Sequence, residues 1–210
     1  MESLRHTNIV MFLGACTKYP RLAIVLEYCK NKSLWFLLQS RRIKLDWEDR
    51  KRLALEIARG MNFLHSFPTP IIHRDLKSLN ILIDECNRAK IGDFGWTRLK
   101  AEEMTGKIGT FQWMAPEVIQ SNHYSEKADV FSYGIILWEI ASREPPYRDI
   151  TGAQVSRGVV ERDLRPEIPR GTPEPFARRM KWCWSRAPGD RPSFKKVIEE
   201  LEFMNFKNIV

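Results

Sequence analysis

The sequence predicts an α+β fold, mostly helical, with its few strands gathered towards the N-terminal end. Three observations predict it. Short apolar runs of strand length, bounded by turn residues, occur before residue 92. A long segment from Asp46 begins with acids and then repeats apolar residues at helical spacing. Beyond Glu117 nearly every apolar pattern is helical.

Val10–Ala15 and Leu22–Tyr28 flank a Lys18-Tyr19-Pro20 turn and read as a strand pair. The run Ile9–Cys16 imitates a signal-peptide core, but only Arg5 precedes it, between Glu2 and His6. It reads better as a buried strand. Cys29–Lys32 is polar and strand-breaking, and Ser33 is placed to cap a short helix reaching Arg41. Asp46 is the expected N-cap of a long helix, with Glu48 and Asp49 in its first turn. Leu53, Ile57, Met61 and Leu64 form its apolar face, and Pro68 and Pro70 end it. Ile71-Ile72, Ile81–Ile83 and Ala89–Ile91 are short strand candidates, with a turn at Asp84–Asn87. Ala128–Ala141 is a strongly apolar helix. Pro173–Trp184 and Phe194–Phe203 are two more, separated by the Ala187-Pro188-Gly189 turn. There is no internal repeat, low-complexity tract or linker.

With 43% hydrophobic and 29% charged residues the chain has ample material for a core, and disorder is excluded. The formal net charge of +8 raises nucleic acid or an acidic surface as partners. The basic residues are scattered, however, and the longest run, Arg50-Lys51-Arg52, lies inside a helical pattern. A solvated surface, with no nucleic-acid partner, is the reading. Cys16, Cys29, Cys86 and Cys183 are far apart and lack metal-ligand spacing, which suits free thiols in a reducing compartment. No apolar run approaches the roughly 20 residues needed to span a bilayer. A cytoplasmic location is therefore expected.

Three strings in fixed order carry the chemistry: HRDLKSLN at His73–Asn80, DFG at Asp93–Gly95 and APE at Ala115–Glu117. Phosphoryl transfer asks a protein for a group that orients the attacking hydroxyl, ligands for magnesium, and cations for the phosphates. Asp75 can accept the hydroxyl proton, and Lys77 can reach the transferred group from beside it. Asn80, through its amide oxygen, and Asp93, through its carboxylate, offer the hard oxygens that magnesium favours.

On these strings the chain resembles protein kinases, and within them the tyrosine-kinase-like group that includes Raf-like and mixed-lineage serine/threonine kinases. The likeness runs from Met1 to about Phe206. It implies a protein-kinase-like fold, mainly the helical C-lobe with a remnant of the N-lobe sheet, using ATP and Mg2+. Residues 1–28 would be the N-lobe remnant, 29–32 the hinge and 33–206 the C-lobe. LRHTNIV at Leu4–Val10 resembles the junction after the family's first large helix. Leu26-Glu27-Tyr28-Cys29 looks like gatekeeper plus hinge, so the backbones of Glu27 and Cys29 would hydrogen-bond adenine and Leu82 would pack beneath it. Asp129 would hold the His73-Arg74 backbone, Arg191 would pair with Glu117, and Thr110 would hydrogen-bond Asp75 and Lys77. Thr97 and Thr105 are candidate phosphorylation switches, with Arg74 ready to receive the phosphate. Trp96 departs from the smaller residue usual after DFG.

The resemblance also implies a glycine-rich loop, a phosphate-holding lysine and a helix glutamate. The glutamate would lie about one helical turn before Met1, so Met1 is expected to be an internal methionine of a longer reading frame. The chain alone is then expected to be impaired. The expected activity is transfer of the ATP γ-phosphoryl group to protein serine or threonine, in intracellular signalling. Lys77 and Thr110 favour this over tyrosine, while WMAPE leaves dual specificity open. Protein substrates and an upstream activating kinase, or the chain itself, are the expected partners. The alternative is a catalytically inactive binding or scaffold module.

Overall fold

The computed structural model describes residues 4–93, 111–121 and 125–206. In chain order they form β1 (Phe12–Cys16), β2 (Ala23–Leu26), α1 (Leu34–Gln39), α2 (Trp47–His65), β3 (Ile81–Ile83) and β4 (Ala89–Ile91). There follow α3 (Pro116–Ser121), α4 (Glu126–Ser142), α5 (Gly152–Glu161), α6 (Glu174–Cys183) and α7 (Phe194–Glu202). Short 3-10 turns lie at Ser78–Asn80, Phe111–Trp113 and Pro188–Asp190. The fold is α+β and mainly helical, as the periodicity predicts.

The strands make two antiparallel pairs, β1 with β2 and β3 with β4. β1 starts two residues later than the apolar run suggests. Val10 donates its N–H to the Ile91 carbonyl at 2.9 Å, so residues 8–10 join the edge of β4 and only the residues beyond them pair with β2. Leu13 is an extra residue in the ladder, bulged between the Phe12–Leu26 and Gly14–Val25 pairs. The expectation of a buried strand at Ile9–Cys16 holds only for Ile9 and Val10. Leu13 is 57% exposed, and all four residues of β2 are exposed.

Three further expectations fail locally. Ile71-Ile72 forms no strand, because Ile71 folds back to donate to the Leu64 carbonyl near the end of α2. Ser33 starts α1 by its backbone angles, but its side chain does not cap. Its residue is instead buried in a bridge to Leu82. α1 stops at Gln39 rather than Arg41, where the Arg143 guanidinium collects the carbonyls of Leu37, Leu38, Ser40 and Ile43. Such carbonyls at a helix end have no partner within the helix, and a cation satisfies them well.

α2 begins as its sequence dictates. The Asp46 side chain accepts from the Asp49 N–H at 2.8 Å, and Leu53, Ile57, Met61 and Leu64 are fully buried. Gly60 lets α2 close on residue 8, since a β-carbon there would stand 2.7 Å from the Asn8 carbonyl. α4 is the centre of the core: every residue from Ala128 to Ala141 is buried. Gly134 admits α6, with the Trp184 amide 3.0 Å from where its β-carbon would be. α5 has a full capping box between Thr151 and Gln154.

One ion pair ties the APE segment to the C-terminal helices. Arg191, with a side chain 0% exposed, contacts both carboxylate oxygens of Glu117 at 2.6 and 2.9 Å. Its remaining N–H groups reach the carbonyls of Ser185, Lys127 and Arg186 at 2.8, 3.0 and 2.9 Å. Every donor of the guanidinium is thereby used, and its face lies over the Phe131 ring. Arg191→Ala leaves the half-buried Glu117 carboxylate and three carbonyls without their donor. It should cost roughly 3–5 kcal/mol, read as a lowered melting temperature in thermal unfolding. An unchanged melting curve would show that the pair stabilises nothing.

Candidate active site

The HRDLKSLN loop leaves α2, crosses the base of α4 and enters β3 through the 3-10 turn at Ser78–Asn80. It has little regular structure of its own, so side chains fix it. The Asp129 carboxylate accepts from the His73 and Arg74 N–H groups at 2.8 and 3.0 Å, and lies 2.9 Å from His65 Nε2. This hold keeps Arg74 at φ 66, a left-handed angle that costs a residue with a side chain about 1–3 kcal/mol.

His73 links the loop to the DFG end. Its Nδ1 accepts from the Asp75 N–H at 3.3 Å, so its proton sits on Nε2, which donates to the Gly92 carbonyl at 2.9 Å. Gly92 also donates its N–H to the Asn80 carbonyl at 2.9 Å. These bonds bring Asp93, at φ 60 and exposed, beside the loop. Phe94 and Gly95 follow outside the described residues, as do Trp96, Thr97, Thr105 and Thr110.

Within the loop, Lys77 Nζ lies 2.9 Å from both carboxylate oxygens of Asp75. Asn80 Nδ2 donates to the Asp75 carbonyl at 2.8 Å and to Asp75 Oδ2 at 3.1 Å. The structure thus gathers Asp75, Lys77, Asn80 and Asp93 around one corner, with Arg74 adjoining and Asp129 beneath.

The 26–29 segment borders the same region. Leu26 is 42% exposed, Cys29 is half-buried, and Leu82 is half-buried on β3. The Glu27 N–H is already donated to the Met11 carbonyl at 2.8 Å, which leaves its carbonyl as the group able to meet a ligand. The Glu27 carboxylate is taken by Lys90 at 2.8 Å, a buried ammonium on β4. Burial, and next the Glu27 charge, push the Cys29 thiol up. All four cysteines are free. No helix among the described residues is long and apolar enough to cross a membrane.

The strings give no hint of one acid. Glu139 sits in α4, 2% exposed. Its Oε1 accepts from the Ser78 hydroxyl at 2.6 Å and its Oε2 from the Trp113 indole N–H at 2.8 Å. Ser132, two helical turns earlier on the same face, donates to the Trp113 carbonyl at 2.7 Å. Burial pushes the Glu139 carboxyl up to about 8, against the pull of the two hydrogen bonds. The available signal was a lone carboxylate in the apolar run FSYGIILWEIA, which has to find donors.

Comparison with known proteins follows the same lines. Residues 1–201 match the family model for protein tyrosine and serine/threonine kinases. The chain is 45% identical over 209 residues to the probable serine/threonine-protein kinase drkC of Dictyostelium discoideum, covering 97% of this chain and 28% of that protein. It is 42% identical over 203 residues to the Arabidopsis thaliana serine/threonine-protein kinase STY17, covering 96% and 35%. To Arabidopsis serine/threonine-protein kinase CTR1 it is 42% identical over 206 residues, covering 96% and 25%. The chain therefore spans about a quarter to a third of the length of these relatives.

The Glu139 shift has a stability consequence. Its folded value of about 8 lies above the ordinary 4.5, so in that window the folded chain keeps a proton that the unfolded chain has released. Stability should fall as pH rises across the window, by at most about 1.4 kcal/mol per pH unit, and be flat in this respect outside it. Glu139→Gln removes the titration. Its melting temperature relative to the parent should climb from about pH 5 to about pH 8 and then level off. Calorimetry across that range checks this, and a difference that does not vary with pH would refute it.

Proposed function

Because the chain belongs to the protein tyrosine and serine/threonine kinase family, we propose that it transfers the γ-phosphoryl group of ATP to serine and threonine hydroxyls of protein substrates. The observation that carries the reading is the Asp75 carboxylate, held by Lys77 and Asn80 on a loop anchored to α4. A carboxylate so fixed is an acceptor for a hydroxyl proton, and it orients that hydroxyl for attack. Lys77 keeps donor capacity beyond its contacts with Asp75 and can follow charge onto the transferred group.

The donor set suits magnesium. Both N–H groups of the Asn80 amide are spent on Asp75, so its oxygen is the end left for a cation. Asp93 adds an exposed carboxylate. Such a pair of oxygens, completed by phosphates and water, is how proteins hold magnesium, which on binding would neutralise phosphate charge. The backbones of Glu27 and Cys29 would hydrogen-bond adenine, with Leu82 packing beneath it. Asp93 and Asn80 mark the phosphate end. A cytoplasmic setting agrees with four free thiols, and an activating kinase, or the chain itself, would act on Thr97 or Thr105. A binding module without catalysis is the rival outcome.

Kinetics on the full-length gene product test the reading. Asp75→Asn should keep ATP binding and lose about 10²–10⁴ in turnover. Asp93→Asn should also weaken magnesium-dependent nucleotide binding, measured by calorimetry. Phosphoamino-acid analysis of a basic protein substrate should give phosphoserine and phosphothreonine. Parental turnover in Asp75→Asn would overturn the assignment of that residue. A parent protein that transfers no phosphate would leave the binding module standing.

A further inference from the structure

We propose that Leu79, backed by α1, forms a subsite for an apolar side chain of the protein substrate, close in sequence to the phosphorylated hydroxyl. The inference rests on the kinase reading above and names the class of sequence that the site takes. Along His73–Asn80 every residue but one is buried or half-buried, and that one is Leu79, 42% exposed. Single exposed apolar residues are ordinary on a protein surface. Leu79 differs in where it stands and in how firmly it is held. Before it, the Ser78 hydroxyl ends on Glu139 at 2.6 Å. After it, the Asn80 amide ends on Asp75, and the Asn80 N–H on the Lys77 carbonyl at 2.9 Å. The turn therefore aims Leu79 without drawing on its side chain, whose apolar surface is left facing water at a cost that a ligand could recover.

Distance decides which part of a substrate meets it. Asn80 Nδ2 lies 3.1 Å from Asp75 Oδ2, and Leu79 is the residue before Asn80. An extended substrate chain advances about 3.3 Å per residue, so with its hydroxyl at Asp75 only residues within about three of that hydroxyl come over Leu79. α1 supplies the wall. It packs against the turn that carries Leu79, and Ser33 at its start bridges to Leu82 on β3. Its far end is pinned through four carbonyls by the Arg143 guanidinium. It brings the half-buried Trp35 and the exposed Phe36, and no charged side chain of its own. The surrounding charges favour an apolar residue over a basic one. Carboxylates around the loop and α1 are already engaged: Asp75 by Lys77 and Asn80, Glu139 by Ser78 and Trp113, Asp84 by Arg88, and Glu144 by Arg41 and Arg148. Lys30 and Lys32 precede α1, and Arg41, Arg42 and Lys44 follow it. A substrate arginine laid here would give up water for no carboxylate and meet like charge, whereas an apolar side chain would cover Leu79.

The test uses the full-length gene product, ATP and a set of serine peptides. Each peptide carries leucine, alanine or arginine at a single position, from about three residues before the serine to about three after it. At one of these positions leucine should exceed alanine in kcat/KM by roughly 3–10-fold, less than a closed pocket would give because the shelf is open on one side. Arginine there should fall below alanine. Leu79→Ala should bring the leucine-to-alanine ratio at that position to within about twofold of unity, and calorimetry without ATP should show weaker binding of the leucine peptide. Leu79→Glu should place arginine above leucine at the same position. The substituted side chain is exposed, so both variants should melt with the parent. A leucine preference that survives both substitutions, or no preference at any position in an active parent, would overturn the subsite and leave the kinase reading intact. A parent that phosphorylates neither the peptides nor a protein rich in serine and threonine would overturn the kinase reading, and the subsite with it.

Discussion

A helix buried on every side can leave no polar group unpaired, and the site hangs on that constraint. From Ala128 to Ala141, α4 has no face to solvent. Each polar side chain it carries must find a partner or cost about 1–3 kcal/mol. Asp129 takes the His73 and Arg74 backbone, Ser132 the Trp113 carbonyl, and Glu139 the Ser78 hydroxyl and the Trp113 indole. Tyr133 donates to the Ala54 carbonyl of α2 and Trp138 to the Glu167 carbonyl. Arg143, just past the helix, closes the end of α1. The loops around the site are where they are because the core helix needs what they offer.

Two acids on this helix meet burial differently. Asp129 faces three nitrogens, two of them backbone amides whose positions are set by the loop itself. Glu139 faces two neutral side-chain donors, and burial dominates it. The first arrangement fixes a backbone path, and backbone amides are available at any loop of suitable shape. The second needs particular side chains on both partners, a serine at 78 and a tryptophan at 113.

Much of this was legible in the chain. The α2 cap at Asp46, its apolar face and the helices α4, α6 and α7 follow from local chemistry that no later packing contradicts. Asp75, Lys77, Asn80 and Asp93 come to one corner because the loop from His73 to Asn80 is tied to α4 and to Gly92. What was not legible depends on contacts remote in sequence. Ile71-Ile72 has strand composition, yet the end of α2 supplies its backbone partner. Ser33 has cap chemistry, but β3 claims its backbone first. The apolar run at Ile9–Cys16 divides between two sheets, and a window of sequence shows hydrophobicity but not how the ladder is shared. Glu139 was passed over because a single acid in an apolar helix reveals a need for donors and not their identity. The helix opened by the capping box at Thr151 and Gln154 was not named from the sequence.

The segment 73–80 consists of bends and one 3-10 turn, and by that description it looks like a surface loop free to open. Its bonds say otherwise. Its amides at His73 and Arg74 end on a carboxylate of the central helix, its serine on another, and its histidine ring on the strand edge at Gly92. Such a segment has no separate opening transition. It belongs to the same cooperative unit as the core and comes apart only when the core does. A reactive corner of this kind is rigid by inheritance: its constancy of shape is a property of α4, and drift in the packing of that helix would be felt as chemistry long before it was felt as unfolding.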